Sequence, residues 1–153
     1  LTNGISSGLS DYPDADNGAY IMWKRGSNFK LSPFFHAREF ECDCGECSDQ
    51  LISDKLLTKL NDIRFNFNGP IRINSGYRCS AKQEALRKQG YETAVGISQH
   101  ELGNAADISP LELSKMIQLV DLATKAFKAV GAGKAFLHVD TREDKTRRWS
   151  YGS

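Results

Sequence analysis

His100 and Asp107 stand seven residues apart in "SQHELGNAADI", residues 98–108, and both are metal-ligand types. Gly103, Asn104, Ala105 and Ala106 fill the interval. In a continuous strand the pair would face opposite sides, ~23 Å apart along the axis. In a continuous helix they would share a face but be separated by ~10 Å of rise. Neither geometry serves one ion. A tight turn between them does, and Gly103 is where it is expected. Ala105 and Ala106 suit a strand packed closely under a helix.

A third ligand is needed, and the chain has three histidines. His138 lies in "FLHVD", an apolar-rich segment with strand character. Two-residue alternation puts His138 and Asp140 on the same face. Two histidines and one carboxylate leave a fourth position for water, the pattern of a catalytic zinc site rather than a closed structural one. Such a zinc acidifies and orients water for attack on a carbonyl. Asp140 either takes a proton from that water, fixes His138 from behind, or pairs with Arg142 or Arg78. His36, in "FFHAREF", is expected on the surface or packed under the aromatic pair, and is not offered as a ligand.

Cysteine makes a second constellation. Cys42, Cys44 and Cys47 lie within six residues, and Cys79 is the fourth. They form either a four-sulfur zinc site or two disulfides in an oxidising compartment, and spacing alone does not decide. In both cases the expected role is structural, a staple between the N-terminal segment and the strand before Cys79.

Several elements must position these groups. Residues 1–30 carry Gly, Ser, Asn and Asp without steady periodicity and read as an arm or linker before a domain at 31–153. Within that arm "YIMW", 20–23, is a strand or a packing anchor. Leu56, Leu57, Leu60, Ile63 and Phe67 recur at helical spacing, with Ser53 as N-cap and Gly69-Pro70 as the stop. Ile71 and Ile73 alternate with Arg72 and Asn74 as in a half-buried strand. Ser80 and Gln83 are spaced as a capping box for a helix through Lys88, ended by Gly90. Residues 91–99 read as a loop and Ala105–Ile108 as a short buried strand. Ser109, Pro110 and Glu112 signal a helix whose apolar face is Leu113, Ile117, Val120 and Phe127, broken by Gly131 and Gly133. Residues 135–142 alternate as a strand, and 141–149 read as a solvated turn carrying Trp149. Tyr77 and Trp149 either flank a groove or pack in the core. The expected fold class is α+β: a small antiparallel sheet with packed helices.

The chain has 153 residues, 40% apolar and 25% charged, with formal net charge +1. One domain with a real core is expected. Near-zero charge gives no general attraction to nucleic acid or anionic membranes. No run of 18 apolar residues exists, so no membrane insertion is expected. Nothing demands an obligate interface, so a monomer is expected. The start at Leu1 suits a processed product or excised domain, and an exported or virion-borne origin fits it.

The stretches "SGYR", "SQHELGNAADI" and "FLHVDTR", followed by a tail with a tryptophan, resemble the M15 group of zinc peptidases. These are D-Ala-D-Ala carboxypeptidases and related peptidoglycan endopeptidases with a fold shared by hedgehog signalling domains. The likeness is greatest to the branch common in bacteriophages and prophages, whose members carry similar "FF…REF" openings. It runs from about Phe34 to about Trp149, and the S-x-H-x-x-G-x-A-x-D motif is matched at Ser98, His100, Gly103, Ala105 and Asp107. The resemblance implies one catalytic zinc held by His100, Asp107 and His138, with Arg78 of "SGYR" facing the substrate. It implies the peptidoglycan stem peptide as substrate and an extracytoplasmic or virion-associated location. A guanidinium suits a peptide carboxylate or carbonyl, although Arg78 also has Glu84 as a structural partner. One departure stands out. Many relatives place an acidic base a few residues before the last zinc histidine, and here those positions are Gly133, Lys134, Ala135 and Phe136. The base is then Asp140, another carboxylate such as Glu101, or absent. The alternatives to a working peptidase are a catalytically weak or inactive zinc-fold module that binds cell wall or serves as a phage structural domain, and a hedgehog-like interaction domain.

Overall fold

The computed structural model describes residues 5–6, 18–91 and 97–152. Half of the 1–30 arm and most of the 91–99 loop therefore lie outside the described residues. Ile5–Ser6 (β1), Tyr20–Lys24 (β2) and Asp49–Ser53 (β3) form an antiparallel sheet in that order. "YIMW" is thus both strand and anchor, because Tyr20 and Trp23 are buried. At Ser53 the period changes from two to 3.6. Its hydroxyl accepts from the Leu56 N–H and opens Asp54–Phe67 (α1), which buries Leu56, Leu57, Leu60, Ile63 and Phe67. Asn68, at φ +54°, closes the helix before Gly69-Pro70.

A second sheet takes Ile71–Ser75 (β4), Ala105–Pro110 (β5), Ala129–Ala132 (β6), Leu137–Asp140 (β7) and Arg147–Ser150 (β8) in the order β4-β5-β7-β6-β8. All neighbours are antiparallel except β6 and β8. Ser80–Lys88 (α2) follows β4, and Met116–Ala126 (α3) packs with α1. The class is α+β. Ala106, Ile108, Val130, Leu137 and Val139 belong to one apolar core with α1 and α3. Alternation sends their neighbours Asp107, His138 and Asp140 to the opposite face. No helix among the described residues is long and apolar enough to cross a membrane.

Five local expectations are corrected. α2 is capped by Cys79, whose sulfur accepts from the Lys82 N–H at 3.4 Å, and not by Ser80. Ser109 and Pro110 end β5 and do not start a helix. β7 reaches only to the pair Ile108–Leu137, so Pro110 has a strand neighbour on one side only and its missing N–H is tolerated. Leu113 and Ile117 are exposed, and α3 buries Leu119 and Ala123 instead, with Phe127 just beyond. Gly131 lies within β6, and the charged tail is an exposed turn only before Arg147, where β8 begins.

The turn expected at Gly103 is present, with φ +72°. A Cβ there would lie 2.8 Å from Leu51 Cγ and 3.1 Å from Leu51 O. Left-handed backbone and contact with β3 thus both require glycine. Gly103→Ala is expected to lose about 2–4 kcal/mol of stability, read as a lower urea midpoint at unchanged slope.

Candidate metal centre

One row across the second sheet sets up the site. Register pairs Ser75 with Asp107, Asp107 with His138, His138 with Gly131, and Gly131 with Trp149. Cross-strand partners share a face, so Asp107 and His138 project side by side. His100 reaches them from the 98–103 turn. That turn is fastened by the Ser98 hydroxyl on the His100 N–H (3.1 Å), the Arg78 N–H on the His100 carbonyl (3.2 Å), and the Ser53 N–H on the Gly103 carbonyl (2.8 Å).

One ligand-type atom each from His100, Asp107 and His138 lies within 4.8 Å of the others. Asp107 Oδ1 is 3.4 Å from His100 Nε2 and 3.2 Å from His138 Nδ1. Donors about 2.0–2.1 Å from a tetrahedral zinc are separated by about 3.3–3.4 Å, so the spacing fits one shared ion. The outer atoms reinforce this. His100 Nδ1 is 2.8 Å from the Gly76 carbonyl, and His138 Nε2 is 2.8 Å from Asp140 Oδ2. Both partners accept, so both outer nitrogens carry the proton, and in the neutral rings the inner nitrogens present lone pairs to a carboxylate oxygen. Three acceptors facing one point in a buried setting call for a cation.

Asp140 is fully buried. Ala105 and Ala129 are its cross-strand partners, and these small residues leave room beside it. Arg142 Nε and Nη2 donate to its two oxygens, both at 2.9 Å. Its contact with His138 is on the nitrogen turned away from Asp107. Arg78 Nη2 donates to Asp107 Oδ2 at 2.8 Å and its Nε to Ser75 Oγ at 3.0 Å. Glu84 pairs with Arg87, not Arg78. Glu101 is half-buried and contributes no atom to the three-ligand cluster. His36 accepts the Arg38 N–H through Nδ1 and caps the turn Ala37–Phe40. The four cysteines gather at a separate point.

Charge is set by these contacts. Burial pushes the Asp107 carboxyl up, but His100 and His138 outweigh it and hold it far below the usual range. Burial likewise opposes ionisation of Asp140, yet His138 and Arg142 bring it down to about 2. Burial dominates at His100 and lowers its pKa. It also works against charge on His138, where hydrogen bonds accepted by Asp107 and Asp140 favour the protonated ring and raise its pKa.

Beside Asp107 opens a cleft of about 460 Å³ whose walls include Arg72, Arg78, Lys82, Asp43, Ala135 and Phe136. The hairpin turn 133–136, tied by the Gly133 N–H on the Phe136 carbonyl, thus reaches the cleft with an alanine and an aromatic ring, not a carboxylate. Sequence reasoning missed two contributors. Gly76 supplies the carbonyl behind His100, and its Cα lies so close to Phe40 that a Cβ would come within 2.7 Å of backbone. Gly131 leaves space for Trp149, whose ring lies 5.4 Å from His138; a Cβ on Gly131 would meet Trp149 at 2.4 Å. The sequence reading used Gly131 only as a helix break, whereas it lies inside a strand where a neighbouring ring approaches closely.

Asp140→Asn is expected to weaken zinc retention about 10–100-fold in chelator competition, because an amide no longer fixes the His138 proton. The metal-free protein adds a pH test. The folded pKa of Asp140 is depressed, so its contribution is complete above the unfolded value near 3.8 and is lost as pH falls through about 2. The stability gap between wild type and Asp140→Asn, from urea unfolding, should hold above about pH 4 and narrow by about 2 kcal/mol toward pH 2.

Comparison with known proteins places this arrangement in a lineage. No curated protein and no solved structure matches the chain. A sequence model described as Peptidase M15 matches residues 33–140, which include His100, Asp107 and His138 together with the Gly76–Arg78 segment that supports them. That span covers well over half of the chain, and the chain therefore belongs to the peptidase M15 family.

Proposed function

We propose that this chain hydrolyses a peptide bond of bacterial peptidoglycan, as a zinc metallopeptidase acting on the stem peptide outside the cytoplasm or from a virion. The observation that carries the reading is the convergence of three lone-pair donors, from His100, Asp107 and His138, beside a cleft with a guanidinium on its wall. His100, Asp107 and His138 would hold zinc there, and the ion would supply Lewis acidity toward the scissile carbonyl and a more acidic water. Arg78 spends its Nε and one Nη2 N–H on Ser75 and Asp107 and lines the cleft, so its remaining N–H groups suit a substrate carbonyl or terminal carboxylate. Asp140 acts as a positioning residue, holding the His138 proton on Nε2. Its burial and its bonds to Arg142 favour that role over proton transfer to substrate. Among the described residues lining the cleft, Asp43 is the carboxylate other than Asp107. In this reading Asp43 supplies the general base, beside Lys82 at 3.1 Å.

A second reading, a wall-binding module without catalysis, is favoured by one observation: the turn 133–136, where the family resemblance leads one to expect an acidic base, reaches the cleft with Ala135 and Phe136 and carries no carboxylate. Purified cell-wall sacculi separate the two. The zinc-loaded protein should release new amino groups, and His100→Ala should release none. Arg78→Lys, which keeps charge but loses the fork, should lower kcat/KM about 10–100-fold. Wall binding without release by the zinc-loaded wild type would replace the peptidase reading with the binding module.

A further inference from the structure

We infer that Cys42, Cys44, Cys47 and Cys79 hold a second zinc as a closed four-thiolate site, clamping the 42–47 loop to the start of α2 and fixing one wall of the cleft. All four cysteines are free, and their sulfurs lie within 4.8 Å of one another. Cys79 Sγ is 3.7 Å from Cys42 Sγ and 3.8 Å from Cys44 Sγ. Sulfurs about 2.3 Å from a tetrahedral zinc stand about 3.8 Å apart. A disulfide needs a separation of about 2.05 Å and joins two partners, whereas Cys79 is equally near two. A multi-iron cluster puts several atoms between its thiolates and needs wider spacing than this.

The surroundings are those of anions. Each sulfur accepts at least one N–H. Cys42 takes the Cys79 amide at 3.4 Å, and Cys44 takes the amides of Glu46 at 3.4 Å and Cys47 at 3.3 Å. Cys47 takes Gln50 Nε2 at 3.4 Å and Arg25 Nη2 at 3.3 Å, and Cys79 takes the Lys82 amide at 3.4 Å. A neutral thiol is a weak acceptor and needs no such set. Four thiolates this close repel one another unless a cation sits among them. The Arg25 guanidinium offsets part of the excess charge and also binds the Cys42 and Cys47 carbonyls, at 2.6 and 2.8 Å. With four protein ligands no position is left for water, so the ion is structural.

The site also reaches the chemistry. Asp43 lies between two ligands and pairs across the cleft wall with Lys82 of α2. Arg78 immediately precedes Cys79 and holds Asp107. Tying Cys79 to the loop therefore restrains both side chains at once.

The test is a metal and thiol count on protein purified under reducing conditions without added metal, then unfolded in guanidinium. Two zinc and four titratable thiols per chain are expected. His100→Ala should keep one zinc, and the double variant Cys44→Ser with Cys47→Ser should also fall to one. Should the double variant not fold, cobalt-substituted wild type decides: intense sulfur-to-cobalt charge-transfer bands support the site, and their absence overturns it. Loss of thiols in pairs to disulfides, or a His100→Ala protein with no zinc, likewise overturns it. A wild type with one zinc, the cobalt–sulfur bands and no change on His100→Ala supports the thiolate site and defeats the catalytic-metal reading instead. The cleft-wall role alone rests on the peptidase reading: the double variant should lose at least about tenfold in sacculus hydrolysis while retaining its remaining zinc, and full hydrolysis would overturn that role.

Discussion

The structure turns on one buried carboxylate. Asp107 faces lone pairs of two imidazoles on one oxygen and the Arg78 guanidinium on the other. A carboxylate in that position is costly without compensation, and a neutral imidazole whose opposite nitrogen is committed as a donor turns only a lone pair toward it. A divalent cation removes the conflict at a single stroke. The Gly76 carbonyl behind His100 and Asp140 behind His138 hold the outer ring protons, which leaves the inner nitrogens as the ones to bind metal.

The fold delivers this with few devices. Strand alternation sends Ile108, Leu137 and Val139 into the helix-covered core and Asp107, His138 and Asp140 to the other side. Register then fixes which side chains meet, since a slip of one residue would turn His138 into the core. The glycines work where a side chain would intrude: Gly103 folds the turn that brings His100 back, Gly76 lets the supporting carbonyl approach, and Gly131 opens room for Trp149 against His138. The rigid core thus positions a site built partly on a turn, which would otherwise be too loose for a metal.

Much of this was legible in the chain, and the exceptions have physical causes. With three histidines in all, the pairing of His100 and His138 with Asp107 followed from ligand chemistry, and the turn at Gly103 followed from reach. α1 was readable because cap, apolar spacing and stop signal agree at Ser53, Leu56 to Phe67 and Gly69-Pro70. The stretch after Asp107 was not, because Ser-Pro-x-Glu spells a helix start equally well when it is the end of a strand. The buried face of α3 was misjudged because Ala123, too small to stand out in the pattern, is a core residue, whereas the larger Ile117 faces solvent. β8 hid behind its charges, as edge strands do. The function of Asp140 was undecidable from spacing alone. Same-face placement with His138 was correct, but which nitrogen it touches depends on rotamers that no sequence pattern encodes.

The account is tested most directly by locating the ion itself, through anomalous scattering at the zinc edge from crystals of the zinc-loaded protein. It predicts a peak about 2.0–2.1 Å from His100 Nε2, His138 Nδ1 and an Asp107 oxygen, with Asp140 still on His138 Nε2. A peak bound through the opposite nitrogens, or no peak where these three side chains meet, would contradict it.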